Sequence, residues 1–136
     1  FSSRGLGDVY KRQILTDEDI DFIHLSCWNA FKGSVSYRNN SKTLTEWFAT
    51  SLNNPPPIIS TGKVWSHKDA QHLLNQGADL IGVGRAAIGH PDWATQVENL
   101  NYDPAKPPFS VTELRKAMLS DVFIDYMRNW EGFVCD

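Results

Sequence analysis

Two short runs in this chain of 136 residues set a glycine beside a basic side chain at the end of a stretch that reads as a strand. Thr61-Gly62-Lys63 closes Ile58-Ile59-Ser60-Thr61, and Gly84-Arg85 closes Ala78-Asp79-Leu80-Ile81-Gly82-Val83. The chemistry these residue types can do is anion binding. Glycine lets the main chain approach a phosphate closely, and successive N–H groups donate to it. Arg85 adds a fixed charge whose planar donor fork matches phosphate oxygens. Taken singly, a glycine after a strand is more often a plain turn, and a lone arginine is more often a solvated surface residue. At consecutive strand ends the two together favour a phosphate site, because parallel α/β folds bind ligands at the carboxyl ends of their strands. Eight-stranded α/β barrels frequently build such a site from the loops after their last two strands and an extra short helix. The order strand, glycine, helix, strand, Gly-Arg, short helix fits that arrangement.

Other reactive side chains carry less. His24, His67, His72 and His90 have no convincing metal-ligand spacing; His67 and His72 differ by five, so they do not form an i,i+4 pair. No metal site is expected from them, and no catalytic residue is assigned in this chain. Cys27 has no identifiable base partner. Trp28 and Tyr37 could line a flat pocket on the rim, although rim packing explains them at least as well. Trp47, Trp65, Trp93 and Trp130 read as fillers between helices and sheet.

The elements that must position the two mouths are regular from Ile14 on. Ile20 to Leu25 predicts a buried strand, being short and rich in β-branched and aromatic residues. A polar loop follows from Lys32 to Lys42, marked by Gly33 and Asn39-Asn40. Thr43 and Glu46 have capping-box spacing, with Leu44, Trp47, Phe48 and Leu52 as the apolar face behind them. Pro55-Pro56-Pro57 ends that helix. Ile58 to Thr61 is the next strand. Ser66 with Asp69 starts another helix, whose stripe is Ala70, Leu73 and Leu74 and whose left-handed end is Gly77. Ala78 to Val83 is the third strand. Such alternation predicts parallel strands covered by helices. Pro91 to Pro108 is irregular apart from a short helix over Trp93 to Asn99. Ser110 and Glu113 offer a further capping box, and Leu119, Val122, Phe123, Tyr126, Met127 and Trp130 share a helical face, with a break near Ser120.

Composition bounds the partners. Thirteen basic and sixteen acidic side chains give a net charge of −3, too small in either sign to argue for nucleic acid or an anionic membrane. No run approaches the roughly 18 apolar residues of a spanning helix. Two distant cysteines, Cys27 and Cys135, match no metal or redox spacing, so a reducing, cytoplasmic setting is expected. Residues 1–13 differ from the rest. Asp8-Val9-Tyr10-Lys11-Arg12-Gln13 back-translates to GATGTGTATAAGAGACAG, which resembles the transposon end used in preparing sequencing libraries. Residues 1–13 are therefore expected to be a non-native, adapter-derived segment, with the native fold over 14–136.

Pro57-Ile58-Ile59-Ser60-Thr61-Gly62-Lys63, then Asp69-Ala70, Gly77 to Ile88 and Pro91-Asp92-Trp93 together resemble the old yellow enzyme family of NAD(P)H-dependent flavin oxidoreductases. Phe123 to Val134 looks like the C-terminal helix of its bacterial members. The resemblance runs from about Ile20 to the end, and Gly77 to Trp93 is its most specific part. It implies a TIM (β/α)8 barrel carrying non-covalent FMN, reduced by NADH or NADPH and reducing an activated alkene or similar small-molecule acceptor. It also implies that Gly62 and Lys63 hold the FMN phosphate through main-chain N–H groups, and Gly84 and Arg85 through main chain and guanidinium, with Thr61 a weaker neighbour. One departure stands at Lys63, where the family often has a second glycine. The family's substrate-anion pair and proton donor come from earlier strands, so the chain would be about the last three strand–helix units of the barrel. Such a piece cannot close a barrel and is expected to fold poorly and not to turn over alone. An oligomer is open for the full-length enzyme. Two other readings remain: another phosphate-binding barrel, such as a sugar-phosphate isomerase or synthase, and a non-catalytic α/β module for a phosphorylated ligand or partner protein. A bound yellow chromophore would separate the first, and cooperative unfolding of 14–136 as a monomer would favour the second.

Overall fold

The computed structural model describes residues 20–33, 41–52 and 54–135, so the expectations for residues 1–13, Tyr37 and Asn39-Asn40 fall outside the described residues. The chain divides into two compact units: residues up to Lys63 with Ala70–Gly82, and Val64–Asp69 with the residues from Val83 on.

The first unit is a parallel sheet with helices in its crossovers. Strand β1 (Ile23–Ser26), helix α1 (Leu44–Ser51), strand β2 (Ile58–Thr61), helix α2 (His67–Asn75, in this unit from Ala70) and strand β3 (Leu80–Gly82) follow in order. The strands lie side by side in the order β1-β2-β3, both pairs parallel, with Ser26 opposite Thr61 and Thr61 opposite Gly82. Helix α1 begins where the sequence places it. The Thr43 hydroxyl accepts from the Glu46 amide, and the Glu46 carboxylate accepts from the Thr43 amide at 2.7 Å. Leu44, Phe48 and Ala49 then pack on a core of Ile23, Leu25, Leu52 and Ile58. Each fully buried aliphatic contributes roughly 1.5–3 kcal/mol. One polar pair is sealed between α1 and β2: Thr45 and Ser60, both at 0% exposure, share a hydroxyl–hydroxyl bond of 2.8 Å.

Alternation decides what each strand shows. Ile23 and Leu25 are buried beneath α1, whereas His24 and Ser26 on the other face are exposed. The buried strand expected over Ile20 to Leu25 is thus buried on one face only, and Phe22 and Leu80 are more than half exposed, at 52% and 55%.

Helix α2 starts on a reciprocal cap, the Ser66 hydroxyl accepting from the Asp69 amide at 3.2 Å and the Asp69 carboxylate accepting from the amides of Trp65 and Ser66 at 3.0 Å. Ala70 and Leu73 are buried; Leu74, expected in the stripe, is 40% exposed. It sits 100° further around the helix than Leu73, and the packed stripe is narrower than three residues. Gly77 ends the helix with φ 99°, its amide donating to the Leu74 carbonyl and the Ala78 amide to the Leu73 carbonyl. This is the Schellman pattern, open to glycine because φ is positive. The turn then delivers Asp79, whose carboxylate accepts from the Ile58 amide at 2.8 Å while its own amide donates to the Ile58 carbonyl at 2.9 Å.

The second unit holds α3 (Arg85–Gly89), α4 (Trp93–Gln96), β4 (Phe109–Ser110), α5 (Val111–Lys116), α6 (Asp121–Met127) and β5 (Val134–Cys135). Trp65 and Trp93 are buried as expected, joined by a bond from the Trp93 indole N–H to the Trp65 carbonyl at 2.6 Å. The Ser110–Glu113 capping box forms and starts α5. The break near Ser120 also appears, with Ser120 capping α6. The buried face of α6 matches expectation only at Met127: Ile124 is buried with it, whereas Val122, Phe123, Tyr126 and Trp130 are exposed. Phe123, Tyr126 and Trp130 instead stack on one another along the outer side, with centroids 5.8 and 4.8 Å apart. Strands β4 and β5 pair in parallel, and a row of edge-to-face rings, His90–Phe109 and Phe109–Phe133, fills the space beside them.

Candidate functional site

The mouth after β2 is built by the loop that leaves β1. The Cys27 amide donates to the Thr61 carbonyl at 2.8 Å, and the Ala30 amide donates to the Gly62 carbonyl at 3.2 Å. A trans peptide points its N–H opposite its C=O, so the amides of Gly62 and Lys63 face away from that loop. Gly62 has φ 149°, and a Cβ there would stand 2.5 Å from the Cys27 carbonyl oxygen and 2.9 Å from the Ala30 nitrogen. Both are main-chain atoms with no room to give, so only glycine fits. Lys63 is exposed and takes φ 59°, the left-handed region. Its backbone thus has the conformation that glycine adopts most cheaply, which is the residue the resembled family often carries there.

Thr61 is held from the side. Its hydroxyl and the Nε2 of His24 lie 2.8 Å apart, diagonally across β1 and β2. Below it Gly82 is the residue paired with Thr61, and a Cβ on Gly82 would overlap the Thr61 hydroxyl. Neither partner was singled out from the sequence as a site residue. A signal for Gly82 was present, since glycine inside a strand marks a close approach. His24 was legible only as the outward member of the alternation Ile23-His24-Leu25.

In the second unit, β3 having ended at Gly82, Gly84 and Arg85 lead into the short helix α3 and are both exposed. A Cβ on Gly84 would meet open space, so the main chain is open to approach there.

The remaining candidates separate. Trp28 is 80% exposed. Cys27 is half-buried, and burial pushes its thiol above the usual range, which disfavours the nucleophilic thiolate. The other histidines serve structure: His67 Nδ1 lies 2.7 Å from the Val97 carbonyl, His90 Nε2 lies 2.8 Å from that of Ala105, and His72 meets the Phe31 ring edge-on. Among the described residues no three His, Cys, Asp or Glu side chains gather as metal ligands.

In open parallel α/β sheets ligands bind outside the carboxyl ends of the strands, which is where β2 runs into Gly62. No protein-family model matches the chain. It is similar to a probable NADH-dependent flavin oxidoreductase, YqiG, of Bacillus subtilis, at 22% identity over 120 residues, which is 88% of this chain and 32% of that protein. It is also similar to the NADH:fumarate oxidoreductase of Klebsiella pneumoniae, at 29% over 92 residues (65% of this chain, 10% of that protein). The NADH:acrylate oxidoreductase of Vibrio harveyi is 25% identical over 88 residues, 62% of this chain and 9% of that protein. The chain therefore spans about a third of the first relative and about a tenth of the other two. These names bear out the resemblance to NADH-dependent flavin oxidoreductases of the old yellow enzyme kind.

Proposed function

We propose that this chain is the C-terminal part of an FMN-dependent oxidoreductase that takes hydride from NADH or NADPH and reduces an activated alkene or similar small molecule in the cytoplasm. The observation that carries the reading is that three relatives, matched over 62–88% of the chain, are all named as NADH-dependent oxidoreductases. Fumarate and acrylate belong to proteins of which this chain spans a tenth, so the acceptor here is left at the level of its class.

The donor set fits a flavin phosphate. Gly62 and Lys63 would hold it through main-chain amides, and Gly84 and Arg85 through the main chain and a guanidinium, which suits a dianion. Thr61 sets the direction of the peptide that precedes Gly62. When bound, FMN supplies the two-electron relay between reduced nicotinamide and acceptor. The chain's own part is to fix the phosphate end of the cofactor. An exposed sheet face supports the partial-barrel reading: parallel sheets are normally covered on both sides, yet among the described residues Phe22, His24, Ser26 and Leu80 on one side are exposed.

The test is to purify the full-length gene product and look for flavin absorbance, FMN released on denaturation, and NADH or NADPH oxidation that depends on an enone or a related alkene. A colourless product that neither binds FMN nor oxidises reduced nicotinamide would refute the proposal.

A further inference from the structure

We propose that His24 is a positioning residue for the anion mouth after β2, acting through Thr61; this rests on reading that mouth as a holder of the FMN phosphate. Besides the β1–β2 ladder, three bonds fasten the end of β2 to the chain of β1 and its loop. Two are main-chain bonds, from the amides of Cys27 and Ala30 to the carbonyls of Thr61 and Gly62. The third is His24 Nε2 to the Thr61 hydroxyl at 2.8 Å, on the exposed face of the sheet. The main-chain pair leaves no slack at Gly62, where a Cβ would sit 2.5 Å from the Cys27 oxygen.

The side-chain clasp governs the remaining freedom. Thr61 rests on Gly82, a residue with no side chain to hold it in place, so the hydroxyl keeps its direction by its bond to His24. Thr61 is bonded covalently to Gly62, and a swing of its peptide would turn the Gly62 amide to which that reading assigns the phosphate. His24 and Thr61 lie outside the buried cluster of Ile23, Leu25, Leu52 and Ile58. Loss of the clasp therefore loosens the mouth without removing core packing.

The experiment uses the full-length gene product and compares FMN with riboflavin, which lacks the phosphate, by fluorescence titration. For His24→Ala, FMN binding should weaken roughly three- to tenfold, the range of one net hydrogen bond, with riboflavin changed less than about twofold. His24→Gln, whose amide nitrogen can replace Nε2, should restore most of the FMN affinity. Should His24→Ala not fold, Thr61→Val keeps the volume but not the hydroxyl, and the same selective loss is expected. Equal weakening for both flavins, or no change for FMN, would overturn the positioning role while leaving the flavin reading intact. A wild-type protein with no preference for FMN over riboflavin would overturn that reading, and this inference with it.

Discussion

Replacing Gly82 by alanine should cost much less once the side chain at position 61 is shortened. In the native background the new methyl overlaps the Thr61 hydroxyl, and Thr61 must rotate away from His24. β-Branched side chains have few alternative rotamers, so the rotation is resisted. Overpacking of this kind costs about 1–3 kcal/mol, and the lost hydrogen bond about 0.5–1.5 kcal/mol. Against this, alanine recovers about 0.5–1 kcal/mol of the conformational entropy that glycine loses in a strand. The net expectation is a destabilisation of about 1–3 kcal/mol on these magnitudes. With Thr61→Ala already in place the hydroxyl and methyl are gone, but the retained Cβ still stands 3.0 Å from the new one, so Gly82→Ala should cost only about 0–1 kcal/mol there. The cycle therefore carries a coupling of about 1–2 kcal/mol, within what double-mutant cycles resolve. Urea denaturation of the four proteins, each made as the full-length gene product, measures it. An equal cost for Gly82→Ala in both backgrounds would refute the reasoning, since the cost would then arise elsewhere than at Thr61.

Three further outcomes are expected. Lys63→Gly should raise the melting temperature: a left-handed residue with a side chain costs about 1–2 kcal/mol, of which glycine's larger unfolded entropy returns about half; a lower melting temperature contradicts this. Ser60→Ala should cost about 1–3 kcal/mol by leaving the sealed Thr45 hydroxyl without its partner, and adding Thr45→Val should recover much of the loss in chemical denaturation. The Glu113 carboxylate is held below the ordinary glutamate range by its bonds to the Ser110 side chain and amide, so it favours the folded state above the unfolded value and that contribution fades as pH falls through the lowered one. Carbon-detected NMR titration should find that low midpoint and a rise toward the normal value in Ser110→Ala.

Local chemistry made much of this molecule legible. Thr43–Glu46, Ser66–Asp69 and Ser110–Glu113 each complete a bond within three residues, so their spacing alone announces a helix start. Ile58–Thr61 is a short apolar run between proline and glycine, and it forms a strand with those bounds. What could not be read depends on distant partners. The two-residue strands β4 and β5 exist because Phe109 meets Val134, a pairing no local pattern encodes. The outer side of α6 is as apolar as the inner, so periodicity placed Phe123 and Tyr126 beside Met127 where packing chose Ile124 to accompany it. At the candidate mouth the glycine of Gly62 was visible, but its reason, the main chain of Cys27 and Ala30, lies more than thirty residues away. The same holds for Thr61, whose neighbours on both sides come from other strands.

The reciprocal latch between Ile58 and Asp79 sits at the amino end of β2, remote from Gly62. A slip of one residue would swap the faces of the strand, and this latch forbids it before any loop is considered. The alignment of neighbouring strands is thus chosen at one end and spent at the other. Loops at the carboxyl end can be exchanged, lengthened or re-sequenced without disturbing which side chains point inward. A protein engineer grafting new specificity onto this sheet should leave Asp79 alone and vary what lies beyond Thr61.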